Sequence, residues 1–127
     1  GLKEGMPVLA APGVLLGRIS RVDFGASEVI TIFDPDWREP VHIGLKKKEG
    51  ILVGGYNPTI SFIAKDAEIQ TGDIVQNVSA NYPIALALGE VVSLTEGAAD
   101  PFKEAKLKIS YNPNFMDYLL IITDAKD

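Results

Sequence analysis

Short apolar runs rich in β-branched residues recur along the chain, separated by glycine and proline at intervals of roughly ten residues. Val29-Ile30-Thr31-Ile32-Phe33 is too short for a helix and dense in strand formers, so it predicts a strand. Val41, Ile43 and Leu45 alternate with His42 and Gly44, the period of a strand with one buried face. Ile60 and Phe62 alternate with Thr59 and Ser61 in the same sense, which assigns both apolar residues to one face. Ala105, Leu107 and Ile109 alternate with Lys106, Lys108 and Ser110, and Tyr118 to Thr123 forms a last, almost wholly apolar strand. No window sustains a 3.6-residue period, so helices are limited to single turns. The fold class is all-β, with no long helix.

The chain also resembles itself. Leu2-Lys3-Glu4-Gly5 with Val8 matches Ile69-Gln70-Thr71-Gly72 with Val75, Gly17-Arg18-Ile19 matches Gly89-Glu90-Val91, and Phe33-Asp34-Pro35-Asp36-Trp37 matches Tyr111-Asn112-Pro113-Asn114-Phe115. The offsets are 67, 72 and 78 residues, so the order is kept with small insertions in the later copy. Two units follow, 1–63 and 66–127, expected as two small six-stranded-type β-barrels in tandem. In Asp34-Pro35-Asp36 and Asn112-Pro113-Asn114 the first side chain caps backbone N–H groups and proline fixes φ. Trp37 and Phe115 are then placed to plug a barrel end.

Composition narrows the chemistry. The 127 residues carry 12 Lys+Arg against 17 Asp+Glu, a net charge of −5, which argues against a surface built to face phosphates. The absence of cysteine removes disulfides, thiolate metal sites and thiol nucleophiles. No stretch reaches the about 20 apolar residues of a membrane span, and no basic-then-apolar leader opens the chain. The chain opens on Gly rather than Met, as a piece cut from a longer protein does.

His42 is the single histidine and the one candidate base with a near-neutral reference pKa; it lacks the partners that such chemistry requires, and a surface or partner-facing position is favoured. Asp34, Asp36 and Glu39 offer oxygens to a hard cation, but the ligand ladder and turn glycine of a calcium loop are missing. Gly54-Gly55 lacks the Lys-Ser/Thr and helix start of a phosphate cradle and predicts a hairpin turn. Lys46-Lys47-Lys48 is a solvated basic loop. Tyr56, Tyr82, Pro83, Ile84 and Phe102 fall in expected loops or strand ends, where aromatics serve either as plugs or as contact area; Tyr82, Pro83, Ile84 and Phe102 are the candidate partner-binding residues.

These segments carry a family resemblance over nearly the whole chain. Gly5-Met6-Pro7-Val8 and Gly13 to Val22 resemble the start of the extracytoplasmic β-domain of the rod shape-determining MreC family. Thr31-Ile32-Phe33-Asp34-Pro35, Gly50-Ile51-Leu52-Val53-Gly54, Ala67 to Val75 and Leu88-Gly89-Glu90-Val91-Val92 follow in that family's order. The chain departs from the family at Ala80-Asn81-Tyr82-Pro83-Ile84-Ala85, where a Gly-Leu and Pro-Pro pattern is usual, and at its start, where a strand usually precedes Leu2 and leaves the first barrel incomplete. The resemblance implies a non-enzymatic scaffold of the peptidoglycan elongation machinery, located outside the cytoplasmic membrane. It implies anchoring by one transmembrane helix and self-association through a coiled coil, neither within this chain. It further implies partnership with a class B penicillin-binding protein, MreD and RodA, a link to the MreB cytoskeleton, and no cofactor. The rival readings are a carbohydrate- or lipid-binding β-module of the cell envelope, a hydrolase using His42 with Asp34 or Asp36, and, last, a barrel binding single-stranded nucleic acid.

Overall fold

The computed structural model describes residues 3–78, 86–96, 100–109 and the backbone at 120–121. Every regular element among them is a strand: β1 Pro7–Ala11, β2 Val14–Asp23, β3 Ala26–Thr31, β4 Arg38–Ile43, β5 Lys48–Val53, β6 Thr59–Ala64, β7 Ile74–Asn77, β8 Ala87–Glu96, β9 Phe102–Ile109 and β10 Leu120–Ile121. The run expected over 29–33 leaves the ladder after Thr31, and Ile32 turns fully into the core instead.

Six strands close on themselves in the order β8–β7–β4–β5–β6–β9, with β9 returning to β8. Alternation explains what fills the ring. Val41, Ile43, Leu52, Ile60, Val75, Val91, Ala105 and Leu107 point inward from successive strands into one buried cluster. Trp37, fully buried, packs into that cluster ahead of β4, the plug role its place after Asp34-Pro35-Asp36 predicts. Asp34 Oδ1 accepts the Asp36 N–H at 2.8 Å, so the capping turn forms as expected.

The remaining strands form a second sheet in the order β10–β1–β2–β3, with its own small cluster of Val8, Leu16 and Ile19. It joins the barrel where β2 meets β8 in parallel at Val14 and Ala87. Among the described residues there is thus one closed barrel with added strands, where two sequential barrels were expected. The expected units 1–63 and 66–127 meet at the end of β6.

The internal repeat explains this difference. Gly5 N donates to Ile19 O at 2.7 Å and Ile19 N donates to Met6 O at 2.9 Å; Gly72 N donates to Val91 O and Val91 N to Asp73 O at the same two distances. Both glycines sit at positive φ, 88° and 93°. Gly17 lies opposite Val8, and Gly89 opposite Val75. A Cβ at either position would overlap a carbonyl oxygen of the next strand, that of Ile30 or that of Lys108. The register breaks in step as well, at Ile19/Arg21 and at Val91/Ser93. So β1–β2–β3 and β7–β8–β9 are copies of one motif. Their fourth strands are exchanged: Ile43 of β4 pairs with Val75, and Ile121 of β10 pairs with Val8. Each copy completes its neighbour's sheet.

Candidate functional site

On the outer wall of the barrel a row of side chains crosses the strands, set by register: Pro40 opposite Ile51 and Ile51 opposite Ser61, with Val78 just past the end of β7. A shallow groove of about 360 Å³ runs along it, lined by Pro40, His42, Glu49, Ile51, Phe62 and Val78. The lining is mostly apolar, which is unusual for the outside of a small barrel.

Phe62 dominates this wall, and the alternation placed it wrongly. A bulge between Ile60 and Ile63 inserts one residue, so Ile63 takes the next inward position and Phe62 is turned out with φ at 59°. The residue is 61% exposed. The adjacent pair Phe62-Ile63 breaks strict alternation and was the available signal.

Phe62 meets Phe102 edge to face, with ring centroids 5.5 Å apart and planes at 74°. Phe102 is the one expected partner-binding residue that the structure describes; it is 40% exposed at the first position of β9. Its backbone is fixed locally, since its N–H donates to Asp100 Oδ1 at 3.0 Å and Lys65 Nζ donates to Asp100 O at 2.9 Å. Next to it the buried Lys103 donates to Ala67 O at 2.6 Å, tying β9 to the β6–β7 connection.

Tyr82, Pro83 and Ile84 lie outside the described residues, as do Asn112, Pro113, Asn114 and Phe115. The β7–β8 connection that contains the first three is closed at its base by Asn77. Its N–H donates to Leu86 O at 3.1 Å, and its Oδ1 accepts the Leu86 N–H at 2.7 Å. Val78, the next residue, lines the groove.

His42 is half-buried in β4, in register with Glu49 on one side and Gln76 on the other. Asp34 and Asp36 stand in the turn before β4, and the extended stretch from Arg38 to His42 alone spans about 13 Å. The structure does not bring His42 and these carboxylates together. No cluster of His, Asp or Glu suited to a metal ion occurs among the described residues. Lys46 pairs with Glu68 at 3.3 Å on the surface, and Lys47 turns the chain at φ 52° into β5, so the basic run splits into turn and strand. Gly54-Gly55 carries the turn out of β5, with Gly54 N on Trp37 O at 2.9 Å.

Besides Lys103, a second charged group is buried, and it was not anticipated as such. Glu39 points inward from β4 beside Trp37, while Arg18 of β2 stacks its guanidinium on the Trp37 ring, 4.4 Å from the centroid. Burial pushes the Glu39 carboxyl up from 4.5 to about 7, with Arg18 and the Trp37 indole partly offsetting the rise. The trio bridges the barrel and the second sheet.

Comparison with known proteins accords with this architecture. The family description "rod shape-determining protein MreC, barrel core" matches residues 1–123. No curated protein matches the sequence. Among solved structures, MreC from Pseudomonas aeruginosa superposes with a TM-score of 0.80 at 22% identity, covering 96% of this chain and 81% of that one. A complex between the penicillin-binding protein PBP2 and MreC from Helicobacter pylori gives 0.76 at 19% identity, covering 95% and 80%. The major periplasmic domain of a cell shape-determining filament MreC gives 0.71 at 26% identity, covering 87% and 72%.

Proposed function

Since the chain belongs to the MreC family of rod shape-determining proteins, we propose that it is a non-enzymatic extracytoplasmic scaffold that docks cell-wall synthesis proteins on the outer wall of its barrel. The observation that carries this reading is the Phe62–Phe102 pair, two phenylalanines held in contact on the outer wall beside an apolar groove. Rigid aromatic rings give large contact area at low entropic cost, the usual anchor of a protein interface. The shallow, mostly apolar shape of the wall suits binding.

The partner proposed is a class B penicillin-binding protein, in keeping with the Helicobacter pylori relative solved with PBP2; MreD and RodA complete the assembly in which such a scaffold works. The periplasmic domain among the similar structures supports the extracytoplasmic placement. Among the described residues no helix is long and apolar enough to cross a membrane, and tethering is assigned to the transmembrane helix that the family carries. Tyr82, Pro83 and Ile84 of the β7–β8 connection are proposed as contacts beside Phe102. The β10–β1–β2–β3 sheet is proposed as the second of two small barrels. Units 1–63 and 66–127 are proposed as the two β-barrel units, with β4 and β10 exchanged between them.

The test is binding of the chain to the ectodomain of a class B penicillin-binding protein from the same cell, by surface plasmon resonance. Phe102→Ala and Phe62→Gly, the second chosen because glycine relaxes the positive φ, are expected each to weaken binding about ten-fold or more while the thermal midpoint holds. Wild-type affinity in both variants overturns the reading. Co-sedimentation with peptidoglycan or anionic vesicles, lost in the same variants while the protein ligand is ignored, favours a carbohydrate- or lipid-binding module instead.

A further inference from the structure

Resting on the docking reading above, the charge pattern of the groove specifies its occupant. Two carboxylates flank the apolar row. Glu49 lines the groove on β5, and Glu104 of β9 lies at its other side, 3.5 Å from Ser61 Oγ, the residue opposite Ile51. Both are exposed, and neither belongs to an ion pair among the described residues. No lysine or arginine lines the groove. Arg38, on the same outer face of β4, is turned away: its guanidinium donates to Pro35 O at 2.7 Å and to Trp37 O at 2.8 Å.

Two exposed carboxylates that form no ion pair among the described residues, beside exposed apolar surface, are complementary to a cationic, apolar ligand. The groove, at the small end of pockets that enclose a free molecule, suits side chains projecting from a larger body. A second copy meeting this groove face to face fits poorly, because it would set Glu49 and Glu104 against the same carboxylates. We infer that the groove seats an apolar segment of the docked protein that carries a lysine or arginine, the apolar side chain lying between Ile51 and Phe62 and the cation pairing with Glu49.

The experiment measures binding to the same penicillin-binding protein ectodomain as a function of ionic strength, for wild type, Glu49→Gln, Glu49→Lys and Glu104→Gln. Glu49→Gln is expected to weaken binding about two- to five-fold, chiefly in the association rate, and to flatten the salt dependence. Glu49→Lys is expected to weaken it further, and Glu104→Gln to act in the same direction but less. If the phenylalanine variants lose binding while all carboxylate variants match wild type in affinity and salt slope, the cationic segment is refuted and the docking wall stands. Tighter binding by Glu49→Gln also refutes it, by showing an acidic partner. If neither set changes affinity, the docking reading fails with it. Sedimentation showing a wild-type dimer that Phe62→Gly dissociates would make a second copy the occupant and overturn the inference.

Discussion

Replacing Glu39 by glutamine keeps the shape of a buried side chain and removes its ionisation, which isolates one electrostatic effect. In the folded protein the carboxyl titrates at about 7, against 4.5 for the unperturbed group. The folded state thus binds this proton more tightly than the unfolded chain does. The group's favourable contribution is fully present below pH 4.5, declines as pH rises, and is gone above about 7. At about 1.4 kcal/mol per tenfold change in proton affinity, the span amounts to about 3 kcal/mol, a figure already net of the attraction of Arg18. Glutamine avoids the charge-burial cost but leaves the Arg18 guanidinium with the Trp37 face alone. A net gain of up to about 3 kcal/mol is therefore expected at alkaline pH, raising the thermal midpoint by several degrees, with little difference in acid. Thermal unfolding followed by the fluorescence of Trp37, the sole tryptophan, at several values between about pH 4 and 9 reads the gap directly. A gap that does not change with pH refutes the assignment of Glu39 as a buried, near-neutral acid. A variant several kcal/mol less stable than wild type in alkali would show instead that the ionised Glu39–Arg18 pair outweighs the desolvation it costs.

Two further outcomes follow from the repeat and from the loop base. Gly17→Ala and Gly89→Ala are each expected to destabilise by about 2–4 kcal/mol, since backbone must move to admit the Cβ; denaturant unfolding of both should show costs of similar size, one in each copy of the motif. Asn77→Ala removes the acceptor of the Leu86 N–H inside the barrel wall and is expected to cost about 1–3 kcal/mol, with faster hydrogen exchange at Leu86 as the direct readout.

The strand content was legible because alternation is a local property. Val41 and Ile43, and Ala105 and Leu107, fall on the buried faces that their spacing predicts. The repeat was legible too, because the Gly5/Gly72 turns and the Gly17/Gly89 crossings require glycine, whatever surrounds them. The exchange of β4 and β10 was not legible. Pairing Ile43 with Val75 rather than with its own copy's Val8 is decided by which sheet closes at lower free energy, and no residue within β4 records it. Phe62 was missed for a related reason: a bulge is a property of two strands, and only the partner register of β9 shows that an extra residue must be accommodated. Glu39 was considered as a cation ligand because a carboxylate beside Asp36 suggests a surface turn; its inward phase on β4 overrides that composition.

Phe62 combines two costs that folding alone would remove. A bulky residue at φ 59° carries about 1–3 kcal/mol of backbone strain, which glycine would relieve, and a residue more than half exposed forgoes most of the benefit of burial. The bulge sets the φ and the outward direction, but nothing in it demands an aromatic there. The surroundings hold the ring where it is: Ile60 and Ile63 on either side are fully buried, and Phe102 meets it from β9, itself fixed through Asp100 and Lys65. A closed ring supplies the stiffness for this, because moving β6 outward breaks its pairing with both β5 and β9. Strain stored at an exposed apolar side chain, supported by buried neighbours, is what a preorganised contact requires, since the partner then finds the ring already placed and loses less entropy on binding.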